Sequence, residues 1–286
     1  MTNQVAEHKA RYGGRWTIEK LNILERYLDV YTTALKDTPF KLMYIDAFAG
    51  TGQLKLSSEE DLVDIRGFVS GSAERAIKIE NKPFDELIFV EKKRDRFAKL
   101  KSLQATYSKR KIEIVHSDAN EFLANLHEDW RSWRGVLFLD PFATEVKWAT
   151  IETIASFNAL DTWILFPVSA ITRMLPKSRK PNAISPKWTK RLTQVFGDES
   201  WHNLYQEDPQ GNLFGDIKYQ RNPGVDGLID IYKEKLRTLF GTRFLETSRA
   251  LKNSKNSPLF EFMFCVGNPN GIGPAKRIAE YILEHM

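Results

Sequence analysis

Four acidic residues, Asp46, Glu91, Asp118 and Asp140, lie at or just after the ends of short apolar runs. Such runs, with β-branched or aromatic members, are typical of buried β-strands. If the strands run parallel, their carboxyl ends share one edge of a sheet, where α/β proteins bind nucleotides. Carboxylates there can accept hydrogen bonds from the hydroxyl and amino groups of a ligand. The alternative is that each acid only caps the helix that follows its strand.

The first acid opens a glycine turn with the pattern D-x-F-x-G-x-G, formed by Asp46, Phe48, Gly50 and Gly52. Glycine permits positive φ and lets the backbone approach a ligand closely. The pattern resembles the first motif of S-adenosylmethionine-dependent methyltransferases. It lacks the third glycine of G-x-G-x-x-G, and Glu91 lies much farther along than the ~20 residues usual for nicotinamide-binding proteins. Both differences count against NAD.

S-Adenosylmethionine offers ribose hydroxyls, a cationic methionine part and an adenine amino group, and each suits a carboxylate. Glu91 follows the second predicted strand, the position from which Rossmann proteins bind ribose hydroxyls. Asp118 follows the third strand and is placed to accept from the adenine amino group, while Asp46 can face the methionine end. The predicted cofactor-binding residues are therefore Asp46, Phe48, Gly50, Gly52, Glu91 and Asp118.

The fourth strand ends in Asp140-Pro141-Phe142, where a reacting group would lie. Amino-group methyltransferases of nucleic acids commonly carry D/N-P-P-Y/F at this place. There the acid and the proline carbonyl accept bonds from the target amine, and the aromatic ring stacks on the base. Such bonds orient a poor nucleophile and favour its reaction. We predict Asp140, Pro141 and Phe142 as catalytic residues; because the second proline is missing, a plain strand-end turn is the alternative.

The elements that would position these residues alternate between strand and helix five times. Strands are predicted over residues 42–45, 87–90, 112–115, 136–139 and 163–166. Helices are predicted over residues 17–36, 71–80, 92–107, 119–128 and 148–157. The alternation is typical of an α/β protein with a mostly parallel, doubly wound sheet. Residues 53–70 lack periodicity, and we interpret them as a loop over the site, with Ser72 capping the next helix.

After residue 168 the pattern changes. Residues 169–223 are rich in proline, lysine and arginine, and we interpret them as a basic helical insertion after the fifth strand. The core of a single domain, residues 1–286, then covers 17–168 and 224–286. Further helices are predicted over residues 186–196, 200–205, 224–240 and 274–283, and a closing β-hairpin between 244–247 and 259–266.

The composition suggests a cytoplasmic protein with anionic partners. Lysine and arginine exceed aspartate and glutamate by 42 − 37 = 5, a mild bias toward anionic partners that many ordinary enzymes share. The basic runs 92–101 and 173–191 could follow the phosphate backbone of a nucleic acid. They could equally be solvated faces.

The single cysteine, Cys265, excludes an internal disulfide and a cysteine-cluster metal site, and we expect it to be buried. No metal site is predicted. No apolar run is long enough to span a membrane, and the N-terminus carries no signal-peptide pattern.

Several segments taken together resemble the three-Cys-motif partner (TcmP) family. They are Trp16-Thr17, Lys20-Leu21, Tyr44 to Gly50, Gly71-Ser72, Phe89 to Glu91, Leu139 to Phe142 and Leu259 to Val266. The resemblance implies a Rossmann-type methyltransferase fold, S-adenosyl-L-methionine as cofactor, and a three-cysteine, radical-SAM-like protein as partner. It also implies that D-P-aromatic is the normal form of the fourth-strand motif.

The sequence therefore predicts an S-adenosylmethionine-dependent methyltransferase that acts on nucleic acid, with an exocyclic base amine as one acceptor. Two alternatives stay open. One is a non-catalytic, nucleotide-binding partner of the three-cysteine protein. The other is a nucleic-acid-binding accessory module.

Overall fold

The structure is a computed structural model that describes residues 14–55, 68–175, 184–208, 218–221 and 224–286. Its α-helices are α1 Arg15–Ala34, α2 Ser72–Ile77, α3 Arg94–Thr106, α4 Ala119–Ala124, α5 Trp148–Phe157, α6 Val168–Met174, α7 Pro186–Phe196, α8 Val225–Phe240 and α9 Ile272–His285. Its strands are β1 Lys41–Asp46, β2 Gln53–Lys55, β3 Phe68–Ser70, β4 Glu86–Val90, β5 Ile112–Val115, β6 Trp133–Leu139, β7 Leu160–Phe166, β8 Tyr205–Asp208, β9 Lys218–Arg221, β10 Arg249–Lys252 and β11 Pro258–Cys265.

Seven of the strands form one sheet in the order β10-β11-β7-β6-β1-β4-β5. Five adjacent strands are parallel to one another: β7, β6, β1, β4 and β5. Strand β11 is antiparallel to both of its neighbours, β7 and β10. The predicted doubly wound, mostly parallel sheet is confirmed. The chain runs outward from β1 through β4 to β5 and then returns to place β6 on the other side of β1. A topological switch point therefore lies between β1 and β6, and in such sheets a ligand crevice opens at the carboxyl ends of the strands there.

Helices cover both faces of the sheet, which is why its central strands are apolar on both sides. On β1, Leu42 and Tyr44 pack into the cluster that also holds the buried residues of α1, α2, α3 and α9. Met43 and Ile45 point to the opposite face and pack with the residues of α4 to α8. This alternation is the two-residue period of a strand. It fixes α1 and α3 on one face of the sheet, close to the end of β1.

Three predicted features differ from the structure. Gly71, not Ser72, is the N-cap of α2, because Ser72 already lies in the helix and turns its hydroxyl toward the sheet. The closing strand pairs with residues 249–252; Phe244 makes only an isolated bridge to Cys265. The predicted loop 53–70 begins and ends in the antiparallel pair β2–β3, and residues 56–67 lie outside the described residues.

The stretch after β7 contains α6, α7, a 3₁₀ turn at Ser200–Leu204 and the antiparallel pair β8–β9, which the sequence did not indicate. Residues 176–183, 209–217 and 222–223 of the predicted insertion lie outside the described residues, as do the first 13 residues of the chain. Cys265 is fully buried, as expected, and burial raises the pKa of its thiol. No helix of the described residues is long and apolar enough to cross a membrane.

Candidate active site

A cleft of about 460 Å³ opens at the carboxyl ends of β1, β4, β5 and β6, beside the switch point. Eight of the nine predicted site residues line it: Phe48, Gly50, Gly52, Glu91, Asp118, Asp140, Pro141 and Phe142. Asp46 is the exception, since it is completely buried. Side chains of α1, chiefly Trp16 and Lys20, close the cleft on the side away from α4.

The two predicted glycines have different roles in the turn after β1. Gly50 has φ +63°, and a Cβ built on it would meet nothing closer than 4.0 Å, so its backbone lies open to the cleft. Gly52 has φ +72°, and a Cβ there would lie 2.8 Å from Leu103 and 3.2 Å from Leu100. Gly52 therefore lets the turn pack tightly on α3. The turn is held by bonds from Ala49 N to Val90 O and from Gly71 N to Gly52 O.

The register of the sheet explains why Asp46 is buried while the other acids reach the cleft. Asp46 is level with Phe89 of β4 and with Phe138 of β6. Glu91 and Asp140 each lie two residues beyond those partners, roughly 7 Å farther toward the cleft at the ~3.3 Å rise of a strand. Asp46 therefore supports the cleft from beneath.

The Asp46 carboxylate holds two elements of the site together. Its Oδ1 accepts a bond from Phe48 N at 3.2 Å, and its Oδ2 accepts one from the Ser72 hydroxyl at 2.5 Å. Burial is the largest influence on this group, and the negative charge of Asp140 adds to it. Together they outweigh the two hydrogen bonds and the charge of Lys20 and raise the pKa of Asp46 to about 7.

Glu91 and Asp118 line the cleft beyond the ends of β4 and β5. Glu91 is nearly buried, and its Oε1 accepts a bond from Lys93 N at 2.6 Å. Asp118 is the N-cap of α4: its Oδ1 accepts bonds from Asn120 N and Nδ2, and its Oδ2 pairs with Lys92 Nζ at 2.9 Å. Although partial burial raises the pKa of Asp118, the bonds from Lys92 and Asn120 prevail and lower it to about 2. Asp118 thus caps a helix and also lines the cleft.

At the end of β6, Asp140 forms an ion pair with Lys20 of α1 through its Oδ2. Pro141 is buried beside it, whereas the Phe142 ring is 52% exposed at the mouth of the cleft. Phe142 N donates to Glu145 Oε2 at 3.2 Å, and Lys93 Nζ lies 5.6 Å from the centre of the Phe142 ring. The cleft therefore offers a carboxylate within and an aromatic face at the rim.

The site analysis of the sequence missed Lys20, Ser72 and Glu145. Lys20 carried a signal, because it lies one turn before Leu24 on the buried face of α1, where a lysine needs a partner. Ser72 carried none, because its bond to Asp46 joins elements 26 positions apart. Glu145 lies only three positions after Phe142, but no motif of the sequence marks it as a site residue.

The chain matches no known protein family and no curated protein sequence. Among solved structures it is similar to protein LPL1258 from Legionella pneumophila, with 16% identity over 90% of this chain and 98% of that one and a TM-score of 0.44. It is also similar to Trm1 from Pyrococcus horikoshii, which was solved with S-adenosyl-L-methionine. The identity is 13% over 96% of this chain and 59% of that one, with a TM-score of 0.46. TYW2 from M. jannaschii, in complex with the same molecule, shows 8% identity over 90% of this chain and 76% of its own, with a TM-score of 0.39.

Similarity at this level describes the course of the chain and says nothing of the reaction. The fold and the site together define a doubly wound α/β protein with an acidic cleft at its switch point. Membership of the TcmP family stays a prediction.

Proposed function

We propose that this cleft binds S-adenosyl-L-methionine and that the chain is a methyltransferase. The observation that carries the proposal is the position of Glu91, whose carboxylate lines the cleft at the end of the strand next to β1. In Rossmann-type sheets an acid in this place accepts hydrogen bonds from ribose hydroxyls. The open backbone of Gly50 lies in the same cleft, where a ligand can approach the turn closely.

The residues present fit this cofactor. The cleft volume, about 460 Å³, lies in the range of roughly 300–1,000 Å³ that small-molecule sites occupy. Among the described contacts, Glu91 Oε1 is engaged by Lys93 N, and the rest of the carboxylate is left for two hydroxyl donors. Asp118 would accept from an amino group while keeping its cap bonds, because a carboxylate has about four acceptor sites. Asp46 would not contact the cofactor itself but would hold Phe48 N and Ser72 in place beside it.

When bound, the cofactor would supply a methyl group on a positively charged sulfur. The chain's own contribution is to hold and orient the acceptor. Asp140 Oδ1 and the carbonyl of Pro141 would accept bonds from an amine, and these bonds strengthen as the amine gains positive charge. The exposed ring of Phe142 offers a face for stacking.

We further propose that the acceptor is a base of nucleic acid. Supporting this, Lys92, Lys93 and Arg96 line the rim of the cleft beside Phe142. Basic side chains next to an exposed aromatic ring are how proteins hold a strand by its phosphates and stack one of its bases. The three-cysteine, radical-SAM-like partner implied by the TcmP resemblance stays a proposal that no contact here supports.

Calorimetry with S-adenosylhomocysteine tests the cofactor proposal on the purified chain. We expect micromolar binding by the wild-type protein. Glu91→Gln should weaken it by about 2 kcal/mol, because charge-assisted hydrogen bonds to the ribose are lost. Glu113→Gln, an exposed acid of the neighbouring strand β5, is the matched control and should bind as the wild type does. No heat at millimolar ligand, or full affinity in Glu91→Gln, would refute the assignment.

A second candidate function is that of a cofactor-binding chain without methyl transfer. One observation favours it: Lys20 already holds Asp140 Oδ2, which reduces what the carboxylate can offer an acceptor amine. Incubation of the protein with total DNA and RNA and a cofactor labelled on its methyl group separates the two. Labelled nucleic acid supports the enzyme, whereas tight cofactor binding without labelled product supports the non-catalytic chain.

A further inference from the structure

Lys20 places a positive charge on the side of the cleft that α1 closes. Its side chain is 6% exposed, its ammonium forms an ion pair with Asp140 Oδ2, and that ammonium lies 5.2 Å from the ring centre of Trp16 and 5.9 Å from that of Phe138. A lysine buried this far is costly unless it is paired. The partner that the described residues provide is Asp140.

The position of Lys20 is fixed by α1 as a whole. Ile23, Leu24 and Leu28 of the same helix are buried in the core together with residues of β1 and α2. The packing of α1 therefore fixes the backbone of Lys20 beside the cleft, and the ion pair holds its ammonium at Asp140. In consequence the carboxylate at the end of β6 and the ammonium of Lys20 together carry no net charge.

This neutrality matters for a ligand pair that differs by one charge. S-Adenosylmethionine carries a positive sulfur, whereas the product S-adenosylhomocysteine carries a neutral one. An uncompensated carboxylate near the sulfur would stabilise the charged ground state, and that charge leaves the sulfur during transfer. Stabilising the ground state alone does not speed the reaction.

We propose that Lys20 is a specificity-determining residue: by compensating Asp140, it prevents the cleft from holding the cationic cofactor in preference to the neutral product. This inference rests on the proposed function, because it requires the cleft to bind both molecules with the sulfur near Asp140. It goes beyond that function by assigning to α1 the balance between cofactor and product.

The measurement is the ratio of the dissociation constants of S-adenosylhomocysteine and S-adenosylmethionine, obtained by calorimetry on each variant. Lys20→Met leaves Asp140 uncompensated and should raise the ratio about tenfold, the effect of one unit charge at about 10 Å and an effective dielectric constant near 20. Asp140→Asn leaves Lys20 uncompensated and should lower the ratio about tenfold. Lys20→Arg keeps the charge and should leave the ratio near that of the wild type.

Another lysine–aspartate pair that lines the same cleft offers a matched control. Lys92 pairs with Asp118 beyond the end of β5, beside the part of the cleft assigned to the adenosine. Lys92 is 71% exposed, so solvent screens its charge far more than that of Lys20. Lys92→Met should therefore change the ratio of the two dissociation constants much less than Lys20→Met does.

The outcomes separate this inference from the proposed function. If Lys20→Met and Asp140→Asn bind both ligands with the wild-type ratio, Lys20 does not set specificity, although the cleft is still a cofactor site. If the wild-type protein binds neither ligand, the proposed function and the inference are both overturned. If Lys20→Met lacks the far-ultraviolet circular dichroism of the folded protein, Asp140→Asn decides, and a ratio that does not fall refutes the inference.

Discussion

Replacing Asp46 by asparagine should change how the stability of the protein depends on pH. The pKa of this buried carboxyl is raised from 3.8 to about 7, first by burial and then by the charge of Asp140. The folded protein therefore keeps a proton on Asp46 at pH values where the unfolded chain has lost it. Because the folded state binds more protons, the free energy of unfolding falls as the pH rises from about 4 to about 7.

The magnitude follows from the size of the shift. The rise from 3.8 to about 7 spans about three pH units, and each unit is worth about 1.4 kcal/mol. The Asp46 carboxylate thus costs up to about 4 kcal/mol above pH 7. Asp46→Asn cannot ionise, can still accept the bond from Phe48 N, and can donate to the Ser72 hydroxyl. Its stability relative to the wild type should therefore increase by up to about 4 kcal/mol between pH 4 and pH 7.

Urea denaturation of both proteins at half-unit steps of pH from 4 to 8 measures this difference. Asp161→Asn is the control, because Asp161 is also buried, accepts bonds from Tyr27 Oη and Gly267 N, and lies outside the cleft. Burial raises the pKa of Asp161 to about 6, so its relative gain should be complete about one pH unit earlier. Parallel profiles of Asp46→Asn and wild type between pH 5 and pH 7 would refute the reasoning.

Two further predictions concern the turn and the rim of the cleft. Gly52→Ala should lower the free energy of unfolding by at least about 2 kcal/mol, because a contact of 2.8 Å with Leu103 is added to the cost of positive φ. Gly50→Ala bears only the cost of positive φ and should lower the free energy of unfolding by about 1 kcal/mol. Equal losses in urea denaturation would contradict the different roles of the two glycines. Binding of a short single-stranded RNA, followed by fluorescence anisotropy, should weaken with salt with a log–log slope of about −0.7 per phosphate contacted. Salt-independent binding, or none at low salt, would leave the basic end of α3 a solvated face.

Much of the sheet could be predicted because its central strands are buried on both faces. The apolar runs that become β4 and β6 stand out from the polar helices beside them. The edge strand β5 is less buried, yet it has the predicted bounds. The edge strand β10 could not be predicted in the same way. It contains only Arg249-Ala250-Leu251-Lys252, a short segment with charged ends, as is usual for edge strands. Phe244 misled the prediction, because it is as apolar and as buried as a residue of a central strand. It nevertheless makes only a single β-bridge, to Cys265.

The candidate site was predictable to the extent that it depends on strand ends. Parallel strands bring their carboxyl ends to one edge, so Glu91 and Asp140 meet in one cleft although 49 positions separate them in the sequence. The depth of each acid was not predictable, since it depends on register. Asp46 is the last residue of β1, whereas Glu91 and Asp140 lie just after β4 and β6. A sequence pattern shows an acid after an apolar run in all three cases.

The contact between Lys20 and Asp140 spans 120 positions and joins a helix to a strand end, so no local pattern contains it. It nevertheless connects the two electrostatic arguments made above. The charge of Asp140 raises the pKa of Asp46, and the charge of Lys20 lowers it. Both measurements thus report on the charges of Lys20 and Asp140. The pH profile of stability detects these charges through Asp46 beneath the cleft, and the ratio of ligand affinities detects them through a ligand within the cleft. Because α1 places Lys20 beside Asp140, a helix outside the sheet, and not the strand-end acids alone, sets the net charge that a ligand meets at the end of β6.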